Sequence, residues 1–157
     1  MNARVVVVFA SRRGSTERLA TAAAVGAVEM RGEIRLRLLP DSASDLPPEG
    51  AYLAKEYVPP RDADAAWADA LILLLPNWLD AASPDLDRWF TSLDAVRQSD
   101  RWRLRAAAVI APDATRAAVE PRLAALGLSI IPPPTTVASP EDARMFGRAT
   151  GCFAGDA

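Results

Sequence analysis

Six consecutive residues near the amino terminus have the side-chain types and spacing of a phosphate-binding loop. Hydroxyls can donate hydrogen bonds to phosphate oxygens, a glycine lets backbone amides turn towards an anion, and two arginines add positive charge. The positive end of a helix that follows the loop would add to the attraction, and the combination suits a phosphate monoester. An ordinary structural role explains the same residues equally well, with Ser15 or Thr16 capping the helix and Gly14 only making a turn. The six residues are Ser11, Arg12, Arg13, Gly14, Ser15 and Thr16.

Other phosphate motifs fit this loop less well. The P-loop pattern lacks its lysine and its second glycine, and the dinucleotide fingerprint of three glycines is absent. A receiver domain needs carboxylates at the end of its first strand to hold a divalent ion, and Ala10-Ser11 supplies none. A cysteine phosphatase needs a thiolate in the loop, whereas Cys152 lies near the carboxyl terminus, where we expect a small buried side chain.

The composition excludes several classes of function. A chain of 157 residues with no histidine and one cysteine excludes His-dependent catalysis, an internal disulfide, and a zinc site built from Cys and His. The net charge of −2 argues against general nucleic-acid binding, which needs a clustered basic surface. Neither a charged-then-apolar leader nor a long apolar span is evident, so we expect a cytoplasmic protein without a membrane span.

Five segments have the residue pattern of β-strands. Three are apolar runs without polar alternation, which is typical of strands covered on both faces in a parallel sheet. One alternates Ile or Leu with Arg and is predicted to lie at an edge of the sheet, and one is short. In chain order the predicted strands are 5–10, 33–39, 70–75, 106–111 and 128–131.

Helices are predicted between these strands, at 16–30, 84–96 and 113–126, with a last one from 140. Pro121 is expected either to kink the third helix or, as Glu120-Pro121, to begin a shorter one. Residues 40–66 contain five prolines and no clear period, and they are predicted to form a long proline-rich loop that serves a site or an interface. The alternation of strands and helices predicts a doubly wound α/β fold with a parallel sheet.

Four segments in order resemble flavodoxins. Ser11-x-x-Gly14-x-Thr16-Glu17 after an apolar strand is similar to their flavin-phosphate loop, and more closely to that of the tryptophan-repressor-binding-protein type of NAD(P)H:quinone oxidoreductases. Segments 69–76, 83–93 and 135–148 resemble this family's third strand with its closing proline, the following helix, and the final loop and helix. The resemblance implies one flavodoxin-like domain over residues 1–157. This fold is a three-layer sandwich with a five-stranded parallel sheet of order 2-1-3-4-5.

The resemblance also implies FMN as cofactor, NAD(P)H as electron donor, a quinone-like small molecule as acceptor, and assembly as a dimer or tetramer. The six residues of the first loop would hold the phosphate. Pro76, Asn77, Trp78 and Leu79 in a second loop would border the flavin ring. Trp78 could stack on that ring, or it could anchor the loop or a subunit contact.

Two loops depart from the family pattern. The family has Thr-Arg-Phe-Gly after the proline, whereas this chain has Asn77-Trp78-Leu79-Asp80, without the glycine. The family's glycine-rich third loop is reduced to residues 111–115, and the histidine beyond it is missing. Because flavin chemistry belongs to the cofactor, few catalytic side chains are needed, and an FMN-dependent oxidoreductase remains the first hypothesis.

The alternative hypothesis is a degenerate flavodoxin-fold protein without productive flavin binding. It would act as an interaction or structural subunit, perhaps beside a flavin-bearing relative. Trp89 and Phe90 on one predicted helix could supply an interface for this role, although side chains of their type are expected in the core.

Overall fold

A computed structural model describes residues 2–40, 52–132 and 139–155 of the chain. Within these ranges five parallel strands form one sheet of order β2-β1-β3-β4-β5. This result confirms the predicted α/β architecture, its parallel pairing and its strand order. The strands are β1 (Arg4–Phe9), β2 (Glu33–Leu38), β3 (Ala70–Leu74), β4 (Ala106–Ile110) and β5 (Ser129–Ile130).

The three central strands are apolar because helices cover both faces of the sheet. Every residue of β3 and β4 is buried, as is β1 from Val5 onward. Because side chains alternate along a strand, Val6 and Val8 face one helix layer, while Val5 and Val7 face the other. The alternating Arg and Leu or Ile side chains of β2 are only half-buried, as expected of the predicted edge strand.

Six helices occupy the described ranges. Helices α1 and α6 pack on one face of the sheet, and α3, α4 and α5 pack on the other. None of them is long and apolar enough to cross a bilayer. The helices are α1 (Ser15–Glu29), α2 (Leu53–Glu56), α3 (Asp62–Trp67), α4 (Pro84–Arg97), α5 (Asp113–Ala125) and α6 (Pro140–Gly155).

Helix α1, which follows the candidate phosphate loop, is held firmly against α6. Gly26 and Gly147 lie so close to the opposite helix that a Cβ on either would overlap its backbone. Glu29 on α1 also pairs with Arg144 at 2.9 Å and with Arg148 at 3.1 Å on α6. These contacts fix the direction of α1, and therefore the position of its first turn.

The prediction of one long loop over residues 40–66 was wrong for its described part. Residues 53–56 form α2, and α3 begins at Asp62. Both helices are too short, at four and six residues, to show a helical period in the sequence. Residues 41–51 of the predicted loop lie outside the described ranges, as do 133–138 of the segment that resembles the family's final loop.

Two further predictions need correction. Cys152, expected to be buried, is exposed, because position 152 of α6 points away from the sheet, whereas Thr150 and Ala154 face it. No shorter helix begins at Glu120-Pro121, since α5 runs through Pro121 without interruption.

Trp89 and Phe90 on α4 are 2% and 6% exposed, which confirms that they belong to the core.

Candidate functional site

The six-residue loop lies at the carboxyl edge of the sheet, where the winding of the chain reverses. β1 ends at Phe9 and α1 begins at Ser15, while the backbone N–H of Ala10 donates to the carbonyl of Leu74 on β3 at 3.2 Å. The helix after β1 covers one face of the sheet and α4, after β3, covers the other. The loops that follow β1 and β3 therefore border the crevice in which doubly wound folds bind their ligands.

Gly14 shapes the loop into an open helix start. It is the N-cap of α1 with φ of 100°, a left-handed conformation that favours glycine, and its N–H donates to the buried Ser11 hydroxyl at 3.0 Å. Among the described residues no side chain caps α1, so capping by Ser15 or Thr16 is not the role of either hydroxyl. The first-turn amides have no acceptor inside the helix, and they are available to an anion.

Arg12 connects the first loop with the second. Its guanidinium carbon lies 3.9 Å from the centre of the Trp78 ring, a cation–π contact. Trp78 itself is half-buried and packs against the core on the α4 side of the sheet. Arg13, by contrast, is exposed. The structure thus brings Arg12 and Trp78 together, as expected if both border one ligand.

The rest of the second loop is a tight turn. The N–H of Leu79 donates to the carbonyl of Pro76 at 3.2 Å, and Leu79 packs against the same core as Trp78. Asn77 is exposed at the tip. Trp78 is the residue of this turn whose contact with the first loop is described, and Pro76, Asn77 and Leu79 are its neighbours along the turn.

The third loop is short because α5 begins almost directly after β4. Only Ala111 and Pro112 separate Ile110 from Asp113. A connection of two residues leaves no length for the glycine-rich segment of the family pattern. Among the described residues, this connection therefore contributes only Ala111 and Pro112 to the edge of the crevice.

Glu17, in the first turn of α1, receives two short hydrogen bonds that were not foreseen. The Tyr52 hydroxyl donates to its Oε1 and the Tyr57 hydroxyl to its Oε2, each at 2.6 Å. The Tyr57 ring packs edge-on against Phe9, with 5.1 Å between ring centres. A Cβ on Gly14 would lie 2.7 Å from the Tyr52 hydroxyl oxygen, so this hydroxyl lies at the rim of the loop.

Both tyrosines are stabilised as neutral hydroxyls. Burial raises the pKa of Tyr57 to about 12, and its hydrogen bond to Glu17 adds to the effect. The hydrogen bond to Glu17 is the main cause that raises the pKa of the exposed Tyr52. Each tyrosine therefore keeps its proton at neutral pH and donates a hydrogen bond to the Glu17 carboxylate.

The sequence contained one signal for this arrangement. Tyr52 and Tyr57 are the only two tyrosines of the chain, and both lie in the segment predicted to be a loop. Their hydrogen bonds to Glu17, which is 35 and 40 residues away along the chain, are long-range contacts. Local patterns contain no such information.

The residues of the first loop fit a phosphate monoester. Gly14 has a left-handed backbone conformation, the helix start has no side-chain cap among the described residues, and Arg12 provides positive charge nearby. At the second loop Trp78 presents an aromatic plane, but the Arg12 guanidinium covers one of its faces. A flavin ring that stacks on this face must displace Arg12.

Comparisons with known proteins identify the architecture. No protein-family model matches the chain, and no curated protein matches it in sequence. Solved structures do match. The flavodoxin, WrbA-like protein from Agrobacterium tumefaciens is 19% identical, with a TM-score of 0.61 over 98% of both chains. The chain has a flavodoxin-like fold.

Two further structures agree with this assignment of the flavodoxin-like chain. A flavodoxin from the domain Archaea is 12% identical, with a TM-score of 0.65 over 97% of this chain and 99% of its own. The NAD(P)H:quinone oxidoreductase from Methanothermobacter marburgensis is 18% identical, with a TM-score of 0.55 over 96% and 98% of the two chains. At these identities the similarity establishes the fold.

Proposed function

We propose that this flavodoxin-like chain binds FMN and reduces quinones or similar acceptors with NAD(P)H in the cytoplasm. The observation that carries the proposal is the uncapped start of α1 at Gly14, which lies at the reversal point of the sheet. A flavin phosphate monoester has the charge and the oxygen acceptors that this helix end suits. The flavodoxins and the quinone oxidoreductase among the structural neighbours support the same choice.

The first loop would hold the phosphate end of FMN. Ser11 supports the turn by accepting the Gly14 N–H, which leaves the hydroxyls of Ser15 and Thr16 free of a capping role. Arg12 and Arg13 would add charge attraction. The positions of these side chains suit binding and orientation, and none is placed as a proton donor or acceptor for catalysis.

The second loop would border the ring. Trp78 provides the stacking surface, with Pro76, Asn77 and Leu79 at its sides. When bound, FMN supplies the two-electron transfer between nicotinamide and quinone, and the protein orients it. The short third loop would add little to the enclosure of the ring, and both substrates would approach it there.

A second candidate is a flavodoxin-like subunit without productive flavin binding. The contact between Arg12 and Trp78 favours it, because the aromatic face proposed for the ring is covered by a side chain of the same molecule. In this case the chain would serve as an interaction or structural subunit beside a flavin-bearing relative.

FMN titration separates the two candidates. We expect saturable quenching of flavin fluorescence by the purified protein, with FMN bound more tightly than riboflavin, which lacks the phosphate. A colourless protein without saturable FMN binding would favour the structural subunit. If FMN binds, quinone-dependent oxidation of NADH or NADPH then tests the reaction.

Substitution of the loop glycine tests the position of the phosphate. Gly14→Val should weaken FMN binding by about 100-fold or more, because the side chain strains the left-handed backbone of the loop and overlaps the Tyr52 hydroxyl at its rim. Gly127→Val is the matched control, since Gly127 has φ of 85° in open space away from the loop. Equal FMN affinity in both variants would place the phosphate elsewhere.

We also propose that the reductase assembles as a dimer or tetramer. This proposal rests on the resemblance to the quinone oxidoreductase family. Light scattering of the purified protein in the presence and absence of FMN measures the assembly, and a monomer under both conditions would contradict it.

A further inference from the structure

Glu17 occupies the position from which a glutamate normally caps its own helix. With Gly14 as N-cap, Glu17 is the third residue of α1, and a glutamate there commonly reaches back to the N-cap amide. In this chain the Gly14 amide donates to Ser11 instead, and the Glu17 carboxylate is turned to Tyr52 and Tyr57. Within the described part of the chain, no side chain therefore caps this helix start, although Glu17 is placed to do so.

The carboxylate lies near the proposed phosphate. Its Oε1 is 3.6 Å from the position of a Cβ on Gly14. A carboxylate that reached the first-turn amides would compete for the same donors as a phosphate, and its charge would repel the dianion. Phosphate binding is therefore sensitive to the direction of the Glu17 side chain.

The two tyrosines are themselves anchored. The Tyr57 ring packs against Phe9 at the end of β1, and Tyr52 is followed directly by Leu53, which is 0% exposed. The N–H of Tyr57 donates to the carbonyl of Leu53 at 3.0 Å. The two tyrosines thus flank the short helix α2, one at each end, and their short hydrogen bonds to a carboxylate are strong.

We infer that Tyr52 and Tyr57 are positioning residues that hold the Glu17 carboxylate away from the helix start, so that a phosphate monoester can occupy it. The inference rests on the proposed function, because it concerns the phosphate end of FMN. It assigns a role to residues outside the loop motif. It also gives the segment after residue 51 a part in ligand binding.

The test compares FMN, riboflavin and inorganic phosphate as ligands. In the double variant Tyr52→Phe/Tyr57→Phe, FMN affinity should fall about 10-fold, since the freed carboxylate competes with the phosphate. Riboflavin affinity should stay within about 2-fold, because riboflavin lacks the phosphate group. Tyr52→Phe alone, at an exposed residue, should give a smaller loss in the same direction and keeps the test valid if the double variant folds poorly.

Adding Glu17→Gln to the double variant is the decisive step. If the tyrosines act through the carboxylate, FMN affinity should return to at least the wild-type value, since the charge that competes has gone. If they only support the fold, Glu17→Gln restores nothing, and the inference is overturned. Glu56→Gln is the charge control, because Glu56 is an exposed carboxylate on α2 without a described hydrogen bond to either tyrosine.

Inorganic phosphate distinguishes failure of the inference from failure of the proposed function. Phosphorus NMR measures its binding to the same variants. A wild-type protein that binds phosphate but not FMN refutes the flavin function. If the variants then rank in phosphate affinity as expected for FMN affinity, the positioning role of Tyr52 and Tyr57 is still supported. A wild-type protein that binds neither ligand overturns both.

Discussion

Asp64 and Glu17 are both carboxylates that receive hydrogen bonds from two side chains, but their donors differ in charge. Asp64, which is 2% exposed, pairs with Arg35 at 3.1 Å and with Arg37 at 2.9 Å. Glu17 is half-buried and receives two neutral tyrosine hydroxyls. The first carboxylate therefore has two cationic partners, whereas the two side-chain donors to the second are neutral.

The Asp64 cluster belongs to the architecture. Besides the two arginines of β2, Asp64 accepts the N–H of Arg61 at 3.0 Å and so caps α3. The Arg35 guanidinium also lies 4.2 Å from the centre of the Trp67 ring. Together these contacts join an edge strand to a short helix, and each donor has an acceptor of matching charge or polarity.

The contrast shows that a carboxylate can stabilise the fold in one place and influence ligand binding in another. A buried carboxylate surrounded by cations contributes to stability, and removing one partner leaves an uncompensated charge. A carboxylate held by neutral hydroxyls costs less to lose, but its charge still acts on a nearby anion. We therefore expect substitutions at Asp64 to affect folding, and substitutions around Glu17 to affect phosphate binding.

The largest expected effect is on stability at Asp64. Asp64→Ala should lower the free energy of unfolding by about 2–3 kcal/mol, less than a fully buried pair would, because both arginines keep contact with water. Urea denaturation measures the change. Asp87→Ala is the control, since its pair with Arg122 is exposed, and about 0.5 kcal/mol or less is expected there. Equal losses in the two variants would contradict the assignment.

The second prediction concerns alkaline pH. The pKa of Tyr57 is about 12 in the folded protein and 10.0 in the unfolded chain, so the unfolded chain loses the proton first. This contribution to stability is present below pH 10 and is lost as the pH rises through about 12. Glu17 and Glu56 favour the neutral hydroxyl, and Thr21 opposes it.

Absorbance titration of tyrosinate measures the effect. Tyr57→Phe should remove the transition near pH 12, together with the accompanying fall of the urea midpoint. Tyr52→Phe is the control and should retain both. If Tyr57 of the wild type ionises near pH 10.0, both the burial of its hydroxyl and its hydrogen bond to Glu17 are lost in solution.

A smaller effect is expected when the two carboxylates are made neutral in the same way. Glu17→Gln should lower the free energy of unfolding by about 1 kcal/mol or less, because the amide oxygen still accepts one tyrosine hydroxyl. Asp64→Asn should cost more, since two arginines lose their counter-charge. Urea denaturation of both variants measures the two losses of unfolding free energy. A larger loss for Glu17→Gln than for Asp64→Asn would contradict the different roles of the two carboxylates.

The smallest effect is expected at the contact between the first two loops. Arg12→Ala should lower the free energy of unfolding by about 0.5 kcal/mol, as for a cation–π pair near the surface. Tryptophan emission should shift to longer wavelength as the Trp78 ring becomes more exposed. Arg13→Ala, at an exposed side chain, is the control. Identical emission spectra for the two variants would mean that Arg12 does not cover the ring.

Much of the fold could be predicted from the sequence because its signals are local. The apolar runs of β1, β3 and β4 and the alternation in β2 each specify a strand and its burial within a few residues. The position of the first loop could be predicted in the same way, since Gly14 lies between an apolar strand and an amphipathic helix. The helices α2 and α3 were missed because four to six residues are too few to show a period.

By itself, the sequence determined the parallel sheet, the edge strand and the position of the open helix start, since these depend on residue types that are neighbours along the chain. Only the tertiary structure decided which groups surround that helix start. Tyr52 and Tyr57 meet Glu17, and Arg12 meets Trp78, because separate segments converge on one sheet edge. These meetings depend on the path of the chain between the segments, which no local pattern encodes.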